Sequence, residues 1–175
     1  RLARTAAALK PRRTSGDIVR YTTLATLREL GRRAMFVREQ KLRLGVEMRP
    51  LLRETAPALL DVFGVGYDTA AKLLIAAGDN PHRIRSEAAW AHLCGVAPIP
   101  ASSGKVQRHR LNRGGNRQAN SAIYRIMLTR MSNDERTKRY IARRTAEGKT
   151  MGEIARMLKR YIAREVYKTL PTTIA

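Results

Sequence analysis

The stretch CGVAPIPASSGKVQRHRLNRGGNRQAN, Cys94 to Asn120, interrupts an otherwise helical pattern. It holds too many Pro and Gly for one helix, and its apolar residues keep no lasting period, so it is expected to be an ordered loop. No strand series appears on either side, and the predicted fold is all-α around this non-helical segment. At its centre lies Ser102-Ser103-Gly104, preceded by Pro98 and Pro100 and followed by Lys105, Arg108, Arg110, Arg113 and Arg117. No carboxylate occurs between Glu87 and Asp134. A hydroxyl on a stiff turn among arginines suits chemistry on a phosphodiester. The positive charge stabilises a phosphorane-like transition state, and Gly104 lets a backbone approach closely. The same residues can equally do no more than hold a nucleic-acid backbone, with the serines filling a turn.

The charge balance narrows the partner. Lys and Arg number 35 against 14 acidic residues in 175, a formal net charge of +21. Such an excess repels itself in a compact monomer, so a polyanion is expected, and nucleic acid is the natural one. A membrane is not expected, since no apolar run approaches ~18 residues. One cysteine, Cys94, leaves no internal disulfide framework, and the three histidines show no metal-ligand spacing. No metal site is expected in this chain, and a reducing cytoplasm is the expected compartment.

Outward from the loop, residues 1–16 read as a basic, loosely ordered lead-in ending in Thr14-Ser15-Gly16. A helix should begin near Asp17, whose side chain can cap it. Leu27, Leu30, Ala34, Val37, Lys41, Leu44, Met48 and Leu51 fall in steps of three and four, the coiled-coil spacing, weakened by Gly31, Gly45 and Lys41. The seam serves either a long helix packing on its own domain or a dimer contact. Pro50 should end or kink it. From Leu59, LLDVFGVGYDTAAKLLIAAGD resembles a helix-hairpin-helix, with a second helix through Ala70, Leu73, Leu74 and Ala77. Gly64 and Gly66 would keep the turn tight and expose backbone amides at that helix's N-terminus, a non-specific phosphate seat; a purely structural hairpin is the other reading. Asn80 and Pro81 should break the helix, and Ser86 should cap the next, where Trp90 is expected in the core. His82, His92 and Cys94 are assigned ordinary surface or core roles.

Beyond the loop, Gln118 to Met131 should be a helix with Ala119, Ala122, Ile123, Ile126 and Met127 on its apolar face. Asn133 should cap a short helix whose exposed side carries Arg136, Lys138, Arg139, Arg143 and Arg144, and which Gly148 ends. Thr150 and Glu153 form a capping box opening the last helix, stopped by Pro171. There Met151, Ile154, Leu158, Ile162 and Val166 face inward, and Lys159, Arg160, Arg164 and Lys168 line the other side. Acidic partners at i,i+4 are too few to neutralise these basic faces, so they are expected to track a DNA or RNA backbone, with ordinary solvated surface the other reading.

Several separated blocks in order carry a family resemblance: GVG-x-x-TA-x-x-LL-x-x-xGD-x-P, CGVAPIPASSGK, R-x-RLNRGGNRQAN and KRYIARR. Together they resemble the transposase domain of the IS110 / IS116 / IS902 insertion-sequence family over roughly Ala56 to Thr169. The resemblance implies a DNA transposase or recombinase in which the serine before the SG glycine, here Ser103, attacks DNA. Ser102 is the less favoured neighbour. It further implies an N-terminal RuvC-like domain with a DEDD set of acidic ligands for a divalent metal, Mg2+, and a non-coding guide (bridge) RNA. A coiled-coil segment lies between the two domains of the family, and the Leu27 to Leu51 seam sits where it would fall. Residues 1–55 are thus expected to form a basic lead-in and helical arm, 56–170 the transposase domain and 171–175 a tail.

The leading reading is therefore the C-terminal part of a bacterial IS110-type enzyme, bound to DNA and guide RNA and dimerising through its arm. Ser103 would be the nucleophile, and Gly64, Gly66, Lys105, Arg108, Arg110, Arg113 and Arg117 the phosphate contacts. His109 is the nearest obvious base, while the resemblance implies that the metal-bearing acidic set of the other domain approaches instead. With no DEDD set in it, the stretch is not expected to act alone. The competing reading is a non-catalytic basic nucleic-acid-binding module of ribosomal or architectural type, which leaves the ASSGK turn without a reason.

Overall fold

Apolar residues at steps of three and four become helices along most of the chain, and the protein is all-α. The computed structural model describes residues 1–12, 17–80, 83–100, 109–110 and 112–171. Its elements are α1 (Leu2–Ala7), α2 (Ile18–Thr55), α3 (Pro57–Leu60), α4 (Tyr67–Ala77), α5 (Glu87–Leu93), β1 (Ile99–Pro100), β2 (His109–Arg110), α6 (Arg117–Asn133), α7 (Glu135–Ala146) and α8 (Met151–Tyr167). The chain divides into two compact units, Arg1–Met48 and Arg49–Ala175. No helix among the described residues is long and apolar enough to cross a membrane.

In the first unit, the lead-in is more ordered than its charge implied. The alanine-rich segment LARTAA is the helix α1, as alanine's high helix propensity favours. It lies so close to α2 that a Cβ on Gly31 would sit 2.5 Å from Ala7 N and 2.8 Å from Ala3 O. Gly31 is therefore a point of close approach rather than only a weak spot in a seam. Asp17 caps α2 as expected, its Oδ1 accepting from Arg20 N at 2.9 Å. Leu27, Leu30, Val37 and Leu44 are exposed. Pro50 does not end the helix, which continues to Thr55. Proline removes one internal hydrogen bond but leaves the flanking turns intact, and the break comes instead just ahead of Pro57.

The second unit is built on α4, α6 and α8: α4 packs on α6, α6 on α8, and α5 covers α8. Leu59, Leu73, Trp90, Ile123, Ile126, Ile154, Ile162 and Val166 are fully buried where these helices meet. Each such side chain contributes about 1.5–3 kcal/mol relative to exposure. The expected apolar faces of α4 and α6 are the buried ones. Met151, expected inward, is exposed, because it opens α8 a turn before that helix reaches the core.

Local signals set most helix ends. Ser86 Oγ accepts from Ala89 N at 3.2 Å, and Thr150 and Glu153 form the reciprocal box, with Thr150 N donating to Glu153 Oε2 at 2.9 Å. Two ends differ from expectation. Helix α4 stops at Ala77 because Gly78 takes φ +73°, before Asn80 and Pro81 are reached. Asn133 belongs to α6, its amide donating back to Thr129 O at 3.0 Å, and Asp134 caps α7 instead. Asp134 has extended backbone, and its carboxylate accepts from Arg136 N, Thr137 N and the Thr137 hydroxyl. A carboxylate at that place also complements the helix dipole.

Candidate nucleic-acid interface

The loop that decided the fold class has a built foot. β1 and β2 pair antiparallel, Ile99 opposite Arg110 and Pro100 opposite His109, so the two ends of the segment are held side by side. Ser102, Ser103, Gly104, Lys105 and Arg108 lie outside the described residues, as do Thr14-Ser15-Gly16, Pro81, His82 and residues 172–175.

Below the strands, two glycines twenty positions apart meet backbone to backbone. A Cβ on Gly115 would fall under 3.0 Å from both N and Cα of Gly95, and Gly95 itself takes φ +65°. Only residues without a side chain permit that approach. Three asparagines then fasten the foot. Asn112 donates to His92 O at 3.0 Å, while its Oδ1 accepts from Gly114 N. Asn116 N donates to Leu93 O at 2.6 Å, and its side chain caps α6 by accepting from Gln118 N and Ala119 N. Asn120 donates to Cys94 O at 2.8 Å. The block NRGGN-x-x-x-N is thus a set of clamps on the carbonyls that end α5. Cys94 is buried within it, and burial pushes its thiol up to about 12. That thiol is structural, not reactive.

Beside this foot is a cleft of about 520 Å³ lined by Arg113, Arg117, Ser121, Tyr124 and Lys159. Arg113 and Arg117 were expected on the loop, and Arg110 is exposed at the end of β2. Lys159 and Tyr124 were not singled out by their spacing. Lys159 was expected on the basic side of the last helix; it is half-buried, and desolvation, then the nearby charge of Arg156, lowers its pKa. No ion pair engages it among the described residues.

The glycine turn before α4 is a second, shallower cleft, lined by Gly64, Val65, Gly66, Asp68, Thr69, Arg125 and Thr129. Gly64 has φ +85°, and a Cβ there would press on Ile126 of α6 at 3.3 Å. The Gly66 amide is occupied, donating to Thr69 Oγ1 at 2.9 Å, and Val65 N donates to Val62 O. Any seat for a phosphate here thus relies on the first amides of α4 and on Arg125, which stands across the cleft. The turn is bolted in place by Arg130. Its Nε donates to Phe63 O at 2.9 Å and its Nη1 pairs with Glu165 at 2.7 Å, with the arginine buried. Nothing in the local pattern marks Arg130 apart from other arginines of α6.

The basic residues divide into two populations. On α7 and α8 many have acidic partners: Arg144 with Glu147, Lys138 with Glu135, and both Arg160 and Arg164 with Glu87 of α5. Arg160 was expected on an open face and instead ties α8 to α5. On α6, which contains no acidic residue, Arg117 and Arg125 have no side-chain ion pair among the described residues. Nor do three or more His, Cys, Asp or Glu side chains gather anywhere in those residues to hold a metal ion.

Known proteins match the segment that builds these clefts. Residues 56–142, from the end of α2 to the middle of α7, match the model of the transposase IS116/IS110/IS902 family. The chain is also 35% identical over 117 residues to the insertion element IS110 uncharacterized 43.6 kDa protein of Streptomyces coelicolor. That alignment covers 65% of this chain and 29% of the relative, so the chain spans under a third of that protein's length. The matched residues take in the glycine turn, the clamped foot and the whole of α6, and through them the chain belongs to the IS116/IS110/IS902 transposase family.

Proposed function

We propose that the chain is the DNA-handling C-terminal part of an IS110-type transposase or recombinase, and that Ser103 supplies the nucleophile for strand cleavage and rejoining. The observation that supports this most is the foot of the hairpin. Gly95 against Gly115 and three asparagine clamps hold the base of an acid-free stretch of sequence that carries Ser103, with Arg110, Arg113 and Arg117 following it along the chain. A passive backbone-binding loop does not need so rigid a base. In the step, a Ser103 Oγ–P bond forms as one P–O bond of the DNA backbone breaks. The serine proton passes to a base, with His109 the nearest such residue in sequence, and the leaving oxygen departs as a hydroxyl. A hydroxyl from a second DNA end then reverses the exchange and frees the serine. Arginine charge offsets the negative charge that grows on the non-bridging oxygens.

By family resemblance, a divalent metal held on an acidic set elsewhere in the full protein would supply Lewis-acid assistance. This chain's own residues position the strand and neutralise its charge. A guide RNA is a second polyanion that the net charge of +21 accommodates, and the exposed leucines and valines of α2 favour a homo-oligomer through the arm.

The test is a covalent protein–DNA adduct, read by denaturing gel electrophoresis with full-length enzyme, metal ion and guide RNA. Ser103→Ala should abolish the adduct while leaving DNA affinity within about twofold, and Ser102→Ala should lower its yield modestly. Undiminished adduct from the Ser103→Ala protein refutes the assignment, and loss confined to Ser102→Ala moves it one residue back. Binding itself should weaken with salt: about eight phosphate contacts give a log–log slope near −7. A flat titration would remove nucleic acid as the partner.

A further inference from the structure

The two clefts described above share one wall. Arg117, Ser121 and Tyr124 line the cleft at the hairpin foot, and Arg125 and Thr129 line the cleft at the glycine turn. On a helix these positions fall on one side, because residues three, four, seven and eight apart are neighbours. The opposite arc is Ala119, Ala122, Ile123, Ile126, Met127 and Arg130, all buried. The clefts are therefore the two ends of a single outer stripe of α6. Arg117 and Arg125 stand about 12 Å apart along the axis at 1.5 Å per residue. That is the length of three to four stacked nucleotides of one strand at about 3.4 Å each.

Three features of this stripe favour an unpaired strand as its occupant. Its cations are uncompensated, since Arg117, Arg125 and Lys159 lack carboxylate partners among the described residues while much of α7 and α8 is paired. Half-burial of Lys159 without such a partner costs stability that a phosphate oxygen would return. Tyr124, one residue before Arg125 and lining the foot cleft with Arg117, is 47% exposed, and its ring meets no other aromatic or guanidinium group among the described residues. By contrast, Tyr67, Tyr140 and Tyr161 each carry an arginine over the ring. An open ring in a cationic cleft is a stacking platform beside phosphate seats, and stacking requires a base free of its duplex.

We propose that the outer stripe of α6 is a track for an unpaired nucleic-acid strand, with Arg117 and Lys159 seating phosphate at one end, Arg125 at the other, and Tyr124, beside Arg125, stacking on a base. This rests on the nucleic-acid reading above and adds the residues, the strandedness and the length of the contact. DNA and RNA strands share the chemistry, and the experiment separates them.

The 175-residue chain is titrated, by fluorescence anisotropy, against labelled 12-nucleotide oligo(dT), 12-nucleotide oligo(U) and a 12-base-pair DNA hairpin. Tyr124→Ala should weaken binding of the unpaired strands about tenfold, the range for loss of one stacked base, and the hairpin less than twofold. Tyr124→Phe keeps the ring and should stay within twofold of the unchanged chain. Arg125→Ala and Lys159→Ala should each reduce the magnitude of the salt slope by about one. Circular dichroism melts confirm that each variant is folded. A loss on oligo(dT) alone assigns the track to an opened DNA strand, a loss on oligo(U) alone assigns it to RNA, and either supports it. Equal losses on hairpin and single strands, or a Tyr124→Phe defect matching Tyr124→Ala, overturn the stacking assignment. Tight binding by every variant overturns the track while leaving the nucleic-acid reading standing. No binding of any probe by the unchanged chain overturns both.

Discussion

Replacing Gly115 by Ala adds one methyl group at the foot of the hairpin. Its carbon would come under 3.0 Å from N and Cα of Gly95 and stand 3.0 Å from Leu93 O. All three are backbone atoms, so no change of rotamer relieves the clash. Carbon contacts settle near 3.5–4.0 Å, so the two segments must part by roughly 1 Å. The shortest hydrogen bonds across that gap among the described residues are Asn116 N to Leu93 O at 2.6 Å, Asn120 to Cys94 O at 2.8 Å and Asn112 to His92 O at 3.0 Å. Losing most of each removes about 1 kcal/mol apiece, and residual overpacking costs a further 1 kcal/mol or more. The expected destabilisation is about 4 kcal/mol, or about 8–15 °C in Tm for a chain of this size. Gly114, the adjacent residue, is the internal control. Among the described residues a Cβ there meets only Asn112 Oδ1, at 3.5 Å, an ordinary contact, so Gly114→Ala should change stability by no more than about 0.5 kcal/mol. The assay is thermal unfolding by circular dichroism at 222 nm, with the two variants side by side. Melts that coincide would refute the argument that the foot depends on the Gly95–Gly115 approach.

Arg130→Ala should cost about 2–3 kcal/mol, because it leaves Phe63 O and Glu165 without their partner. Arg130→Lys should recover only part of this in urea denaturation, since an ammonium cannot reproduce both guanidinium contacts. The Cys94 thiol, pushed up to about 12 by burial, should react with iodoacetamide at pH 8 at least about a hundredfold more slowly in the folded chain than in denaturant, where the ordinary thiol value near 8.5 applies; mass spectrometry follows the adduct. Asp134→Ala should cost about 1 kcal/mol through loss of the α7 cap. The Thr137 hydroxyl, first among its partners, holds the Asp134 carboxyl below its ordinary value. Its contribution is therefore present above the unfolded carboxylate pKa near 3.9 and fades as pH falls through the lower folded value. Acid unfolding of the Asp134→Ala chain should accordingly lack that component, and identical acid transitions would contradict the cap.

Much of the helical framework was legible because its signals are local. A helix is declared by residues three and four apart, and a cap by two residues three apart. The buried faces of α4 and α6 and the caps at Asp17, Ser86 and Thr150 all answer to neighbours within one or two turns. Where local signals compete, the reading slipped by a residue or two. Gly78 preceded Asn80 as the stop for α4, and Asp134 outdid Asn133 as a cap because its carboxylate takes three donors at once. Pro50 did not end α2 for a related reason: its local penalty is real, yet the turns around it still close.

From sequence alone came the net charge of +21, the acid-free span from Glu87 to Asp134, the non-helical loop and the family blocks, since each is a matter of residue type and order. Tertiary structure alone decided which charges remain unmatched. Glu87 reaches Arg160 and Arg164 across more than seventy residues, and Glu165 reaches Arg130 from another helix, so those cations are neutralised by partners that no i,i+4 count reveals. Lys159, one residue from Arg160, lines the cleft against α6 instead and has no acidic partner among the described residues. Gly115 and Gly95 look like ordinary turn glycines until packing brings their backbones together. These outcomes depend on how helices dock, and docking follows from the shape of the whole core rather than from the spacing of neighbours along the chain.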